Sequence, residues 1–296
     1  MLEDCMLCPH NCGVNRLNGE KGYCGSPKDM VIARYSLHMW EEPCISGDNG
    51  SGTIFFSYCN LKCVFCQNYE ISTLNKGRVV GVNEFSNICL ELQEAGANNI
   101  NLVTGTMYVP LIVDGIKLAK KKGLNIPVIY NTSSYENVDT IRMLDGVIDI
   151  FLPDLKYYDD TLALKYSNCE DYFRYATKAI WQMYKQVGNP IFDDNGMIKK
   201  GVIIRHLMLP NNIYDSKRII KYLYDKYKDD VIISIMNQYT PIRKIKYEEL
   251  NSLVSDKEYD ELINYAYDLG IRKAYIQDGK TQSESFIPNF SIFNGL

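Results

Sequence analysis

No apolar run in this 296-residue chain reaches the roughly 18 residues that a membrane-spanning helix needs. The first residues, Met1-Leu2-Glu3-Asp4-Cys5, have neither the basic start nor the apolar stretch of a secretory signal. Neither sign of charge dominates. The 32 basic residues face 36 acidic ones for a net charge of −4, which argues against a general nucleic-acid or membrane surface. The brief run Lys120-Lys121-Lys122 reads as the solvated face of a helix. A cytoplasmic protein with no nucleic-acid and no membrane partner is expected. Residues 1–50 also lack periodic apolar content. Rich in Gly, Asn, Pro and Cys, they cannot build a core of their own, so a bound metal would have to organise them.

Cysteine, by contrast, is plentiful, with ten in the chain. In a chain of this length without a signal, clustered cysteines bind metal more often than they form disulfides. Seven fall into two groups: Cys5, Cys8 and Cys12 with Cys24, and Cys59, Cys63 and Cys66. Cys89 lies on an apolar helical stripe and reads as packing, since a free cysteine behaves as a small hydrophobe. Cys169 lies in a polar stretch and reads as incidental. Cys44 stands between the groups, with a role as an extra ligand as its minor alternative.

From Gly52 onward the pattern alternates. Short apolar strands are predicted at 53–57, 100–103, 127–130, 147–152, 202–207, 231–235 and 273–276. Helices are predicted between them, near 83–95, 110–122, 138–144, 172–187, 216–227 and 256–269. Asn83 is the expected N-cap of the first helix and Pro110 sits in the first turn of the second. About six strand–helix units imply an α/β fold with a parallel sheet and right-handed crossovers, a partial (β/α)6 barrel rather than a closed one of eight. The expected division is a Cys-rich metal-binding segment, 1–50, and one barrel domain, 51–296. Ligands of such folds gather at the carboxyl ends of the strands.

Cys59-Asn60-Leu61-Lys62-Cys63-Val64-Phe65-Cys66 follows the first of these strands directly, with the spacing C-x3-C-x2-C. Three thiolates on one short loop hold three corners of a [4Fe–4S] cubane and leave the fourth iron open. Structural zinc prefers four ligands. A catalytic zinc of the deaminase kind would need a His-x-Glu partner, which the chain lacks. At this loop the sequence resembles the radical S-adenosylmethionine (SAM) superfamily. The resemblance implies that Cys59, Cys63 and Cys66 are the catalytic cluster ligands and that SAM chelates the open iron. It further implies that an electron from a donor such as flavodoxin or ferredoxin breaks the S–C5′ bond, giving a 5′-deoxyadenosyl radical that abstracts hydrogen. Phe65 matches the aromatic residue placed near the adenine, with ordinary packing as its alternative.

Other strand ends extend the likeness. Asn131-Thr132 follows the third strand, Asp154-Leu155-Lys156 the fourth, and Ile204-Arg205 runs on to Pro210, in the pattern of pyruvate formate-lyase activating enzymes. By that match Asp154, Lys156 and Arg205 would contact SAM or a bound peptide. An arginine fork suits a carboxylate, and a carboxylate suits a ribose hydroxyl or a cation. The activating enzymes carry a G-G-E segment that binds the SAM amino group, whereas this chain has Thr104-Gly105-Thr106-Met107. Thr104 and Thr106 are the nearest acceptors left. Met236-Asn237-Gln238-Tyr239, after a late strand, is a further candidate lining.

Cys5-x2-Cys8-x3-Cys12-x11-Cys24 supplies four thiolates, which fit zinc or an auxiliary iron–sulfur cluster equally on ligand count. His10, inside that loop, is expected to be exposed, with a ligand role as its alternative. Across Cys5–Arg16, Gly50–Phe56, Cys66–Ser72, Asn101–Thr104, Tyr130–Ser133 and Arg205–Leu207 the chain resembles the PflX-like branch of the family. That branch usually has Pro and His where Gly105 and Met107 stand here. The resemblance leaves two enzymatic functions, activation of a glycyl radical enzyme or modification of another peptide or a small molecule. A non-catalytic iron–sulfur or zinc scaffold fits poorly with an open iron.

Overall fold

The structure is a computed structural model and describes residues 1–277 and 288–296. Among the described residues ten strands form the sheet: β1 (Met30–His38), β2 (Ser51–Phe56), β3 (Arg78–Val80), β4 (Ile100–Val103), β5 (Val128–Thr132), β6 (Ile150–Pro153), β7 (Ile191–Phe192), β8 (Ile198–Leu207), β9 (Ile232–Met236) and β10 (Ala274–Ile276). Their order is β10-β9-β8-β6-β5-β4-β2-β1-β3, with β7 appended to β8. Along this order all neighbours from β2 to β10 are parallel, whereas β1 runs antiparallel to β2, β3 to β1 and β7 to β8. The helices are α1 (Pro43–Ser46), α2 (Tyr69–Ser72), α3 (Val82–Glu94), α4 (Val109–Lys121), α5 (Val138–Arg142), α6 (Asp160–Ser167), α7 (Tyr172–Val187), α8 (Ile213–Tyr227) and α9 (Asp256–Leu269). Six strand–helix units followed by a seventh parallel strand make the partial barrel that the alternation predicts.

Side chains alternate along a strand, so each parallel strand has one face toward the helices and one toward the lumen. The helix side is mostly apolar, as a sheet buried on both faces requires. Leu102, Tyr130, Phe151, Val202, Ile204 and Ile233 lie there with the buried stripes of α3, α4 and α7. Gly115 lets α4 approach α3 closely, since a Cβ there would fall 2.2 Å from Cδ1 of Phe85.

The lumen side carries a separate apolar cluster: Ile129, Ile150, Leu152, Ile198, Ile203 and Ile232, closed by Cys44 and Ile45 of α1. This short helix is a plug. Asn98 donates to the Ser46 carbonyl at 2.6 Å and Asn99 to the Ile45 carbonyl at 2.8 Å, while Ser51 braces Asn99 at 2.6 Å. Full burial of Ile45 is worth about 1.5–3 kcal/mol. Cys44 therefore packs in the lumen.

Several local expectations change. β1, paired along β2 and mostly buried, comes from a stretch that reads as irregular in the sequence. The α3 cap is Gly81 in extended conformation, which puts Asn83 inside the first turn. The helix α6 was not anticipated; its cap is Asp159, accepting from the Thr161 amide at 2.8 Å. Cys169 is fully buried, not incidental, its thiol 3.6 Å from the Ala163 carbonyl. Among the described residues no helix is long and apolar enough to cross a membrane.

Candidate active site

The loop after β2 carries the three cysteines into a cavity of about 420 Å³ at the carboxyl ends of the parallel strands. Tyr58 (φ 71°) and Lys62 (φ 53°) turn in the left-handed region to bring this about. Thr104 (φ 54°) does so after β4 and Ser134 (φ 65°) after β5, so backbone strain collects at this rim. Each thiol has a hydrogen-bond donor. The Leu61 amide reaches Cys59 at 3.4 Å, Ser167 reaches Cys63 at 2.9 Å, and Ser72 reaches Cys66 at 3.3 Å. Burial pushes the Cys59 thiol up and the Cys63 thiol to about 12, with the Lys156 ammonium opposing the rise at both. Binding of a metal at such thiols would release their protons.

The wall facing the loop is polar for a reason of register. Pairings Asp154↔Arg205, Arg205↔Ser234 and Ser234↔Tyr275 bring one row across β6 to β10, two residues above the apolar lumen ring, and Asn131 of β5 joins it through its bond to Arg205. Arg205 is the hub of this row. Its Nε donates to Asp154 at 2.9 Å, Nη1 to Glu41 at 3.1 Å and Nη2 to Asn131 at 2.7 Å. Lys156 donates to the other Asp154 oxygen at 2.6 Å. Burial by itself would raise Asp154, but Arg205 and Lys156 hold it below the usual carboxylate range. Glu41 is raised, because burial, with Asp154 adding to it, outweighs the contacts with Arg205 and Asn101.

Phe65 meets Tyr239 edge to face at 5.9 Å between centroids, and the two form the apolar side of the cavity. Met236 and Gln238 also line it, and Gln67 donates to the Gln238 carbonyl at 3.1 Å, tying the cluster loop to the end of β9. Thr104 lines the cavity too, but Thr106 and Thr132 do not. In a strand only alternate residues share a face, so Asn131 toward the lumen sends Thr132 outward. There Thr132 and Thr106 donate to Oε1 of the buried Glu136 at 2.6 and 2.8 Å, with Tyr130 as third donor at 3.0 Å.

Sequence reasoning missed Glu41, Glu42 and Ser133, which all line the cavity. The first two stand on the stretch leading into the plug. Their one sequence signal is a Glu-Glu pair directly before Pro43, a residue suited to a first helical turn.

The N-terminal cysteines lie on the opposite side of the cluster loop. Cys5 and Val14 close the first of their turns (3.1 Å), and Cys12 accepts from the Tyr23 amide at 3.3 Å. Gly22 sits so near that a Cβ there would fall 2.7 Å from the Cys12 sulfur. Burial raises the Cys8 thiol, and nearby Cys24, Glu136 and Cys12 raise it further. The segment docks on the barrel through Arg16, which donates to the Met107 carbonyl at 2.7 Å, and through Thr140 to the Leu7 carbonyl at 2.8 Å. His10 is not exposed as expected: it stacks on Tyr23 at 3.8 Å and bonds the Asn60 carbonyl at 2.8 Å. Among the described residues no three His, Cys, Asp or Glu side chains converge as ligands of a single ion.

The protein is thus an α/β half-barrel with three cysteines on the loop after its first parallel strand, facing an aromatic wall and a charged row across one cavity. The profile of the radical SAM superfamily matches residues 53–237, and the chain belongs to that superfamily. An uncharacterized protein of Methanocaldococcus jannaschii is 29% identical over 276 residues, 90% of this chain and 75% of the relative. Methylornithine synthase shares the fold with a TM-score of 0.50 at 16% identity, over 74% of this chain and 60% of that one. A domain of the pyruvate-formate lyase-activating enzyme of Bacteroides vulgatus aligns with a TM-score of 0.42 at 18% identity, over 58% of this chain and 92% of the domain.

The residues present fit the cofactors of the family. Three thiols at one cavity leave a fourth cluster corner open, the Phe65–Tyr239 wall suits a purine, and the Asn131–Asp154–Arg205 row suits hydroxyls and a carboxylate. Two buried cavity groups, Oγ of Ser133 and Oε2 of Glu42, have no hydrogen-bond partner in the protein and are open to a donor in the cavity.

Proposed function

We propose that this chain holds a [4Fe–4S] cluster on Cys59, Cys63 and Cys66, cleaves SAM there, and abstracts a hydrogen atom from a glycine of a partner glycyl radical enzyme. The observation that carries the reading is the single cavity joining the three thiols to Phe65, Asn131, Asp154, Lys156 and Arg205. When bound, the cluster and SAM together supply one electron and a hydrogen-abstracting radical. The balance is one electron from a flavodoxin- or ferredoxin-like donor and one substrate hydrogen in, methionine and 5′-deoxyadenosine out.

In this reading Arg205 and Asp154 orient the ligand, Phe65 and Tyr239 hold its base, and Lys156 keeps positive charge beside the thiolates. Ten free cysteines and an oxygen-sensitive cluster suit a reducing cytoplasm. The match of Asp154-Leu155-Lys156 and Ile204-Arg205 to activating enzymes supports the glycyl substrate. The test is anaerobic incubation of the reconstituted chain with SAM, reductant and a candidate partner, read by EPR. A glycyl doublet is expected. SAM cleavage without a doublet across the candidate partners would leave a different peptide or a small molecule as substrate.

We also infer that Cys5, Cys8, Cys12 and Cys24 hold zinc or an auxiliary cluster. The closeness of Cys12 to Gly22 and the mutual influence of Cys8, Cys12 and Cys24 support it. Metal analysis of the full chain should find zinc, or iron and sulfide beyond one cubane, and Cys8→Ala should lose that fraction while keeping the cubane. Iron and sulfide for one cubane and no zinc would remove the second site.

A further inference from the structure

We propose that the Glu41–Glu42 pair, presented by the lumen plug at the floor of the cavity, is a binding site for an ammonium group, with Glu42 as its principal acceptor. The proposal rests on the SAM-cleaving reading only in naming the sources of that group: the amino group of SAM or an amine of the substrate.

Charge is the first support. The cavity carboxyl groups are Glu41, Glu42 and Asp154, against the cations Lys156 and Arg205. His38, held down to about 4 by burial and by Arg34, is neutral. Both cations are already committed. Lys156 bonds Asp154, and the three bonds of Arg205 go to Asp154, Glu41 and Asn131. One carboxylate is therefore left over, and it is Glu42.

The second support is an orphaned atom. Glu42 is 7% exposed, faces the cavity, and its Oε2 has no hydrogen-bond partner. Leaving such an oxygen dry and unpaired is costly unless a donor arrives. The α1 helix does not use it, because Glu42 caps that helix without a side-chain bond. Ser133, across the cavity on the end of β5, has a second unpaired buried oxygen. Burial pushes Glu42 up to about 7, with Arg205 and the Ser234 hydroxyl opposing and Glu41 adding to the rise. A cation against it would restore the charged form.

The third support is an omission elsewhere. Thr104-Gly105-Thr106-Met107 carries no acid, so the loop after β4 cannot supply a carboxylate to an amino group. The plug puts two carboxylates into the same cavity from another part of the chain.

The test uses the full chain, anaerobically reconstituted, in wild-type and Glu42→Gln forms, the latter matching Glu in shape without its charge. Three probes are titrated: SAM, its analogue with a hydroxyl in place of the amino group, and n-butylammonium against the SAM-loaded protein. If SAM supplies the group, Glu42→Gln weakens SAM by about tenfold or more and weakens the hydroxyl analogue far less. If the substrate supplies it, the loss of that size falls on n-butylammonium instead. Loss in neither, with wild-type iron content, overturns the proposal. Should Glu42→Gln fail to fold, the wild-type protein decides alone. It must prefer SAM over the hydroxyl analogue or bind n-butylammonium, and doing neither is equally fatal. Formation of 5′-deoxyadenosine in the same samples reports separately on SAM cleavage, so ammonium binding without cleavage would sink the proposed function and leave this site standing.

Discussion

Cys63→Ala is expected to reduce 5′-deoxyadenosine formation to the enzyme-free background while the barrel stays folded. Cys63 is the most buried cysteine of the C-x3-C-x2-C loop, at 8% exposure. Without its thiol, two corners of the cubane have protein ligands and the cluster is not held. The change to the apoprotein is small. It removes one sulfur atom and one acceptor of the Ser167 hydroxyl, which keeps Tyr157 as a partner at 2.6 Å. A cost of about 1 kcal/mol follows from that loss. The check pairs an anaerobic SAM-cleavage assay with the thermal unfolding of apoproteins. A variant that cleaves SAM at the wild-type rate would remove Cys63 from the cluster.

The second large effect is on stability. Arg205→Leu is expected to destabilise the protein by about 3–5 kcal/mol at neutral pH, the usual cost of stripping the partner from buried charges. Asp154 would keep only Lys156, and Glu41 would lose its ion pair. The pH dependence has a definite sign. In the wild type, Asp154 is held below its ordinary value, so its contribution is present above the unfolded pKa and disappears as pH falls through the folded one. In the variant both carboxyls are raised. They protonate as the pH is lowered, and the deficit relative to wild type shrinks. Urea titrations of the two proteins at pH 8 and pH 5 should therefore show the smaller gap at pH 5. A gap that widens toward acid would mean that Arg205 does not compensate these carboxylates. SAM cleavage should fall as well, since the row loses its hub.

Much of the fold was legible because parallel strands buried on both faces and amphipathic helices write different periods into the chain. The helices at 172–187 and 256–269 match α7 and α9 residue for residue, and all seven parallel strands were anticipated. β1 was not. Its residues, Met30–His38, mix Arg, Tyr, Ser and His with apolar ones, and only pairing with β2 makes a strand of them. Among the site residues, Asn131 and Thr132 were equivalent as letters. The pleat separated them, sending one to the cavity and the other to Glu136.

What the sequence determined by itself is the three-cysteine loop of Cys59, Cys63 and Cys66 and its place in the fold. Ligand spacing on one short loop is local information, and the apolar strand before it sets where that loop must emerge. The rest of the cavity was decided by tertiary structure alone. Glu41 and Glu42 lie far from Arg205 in the chain, and nothing local distinguishes them from solvated acids. They become the floor of the site because Ile45 and Cys44, just beyond them, are drawn into an apolar lumen that exists only once the strands have curved around it.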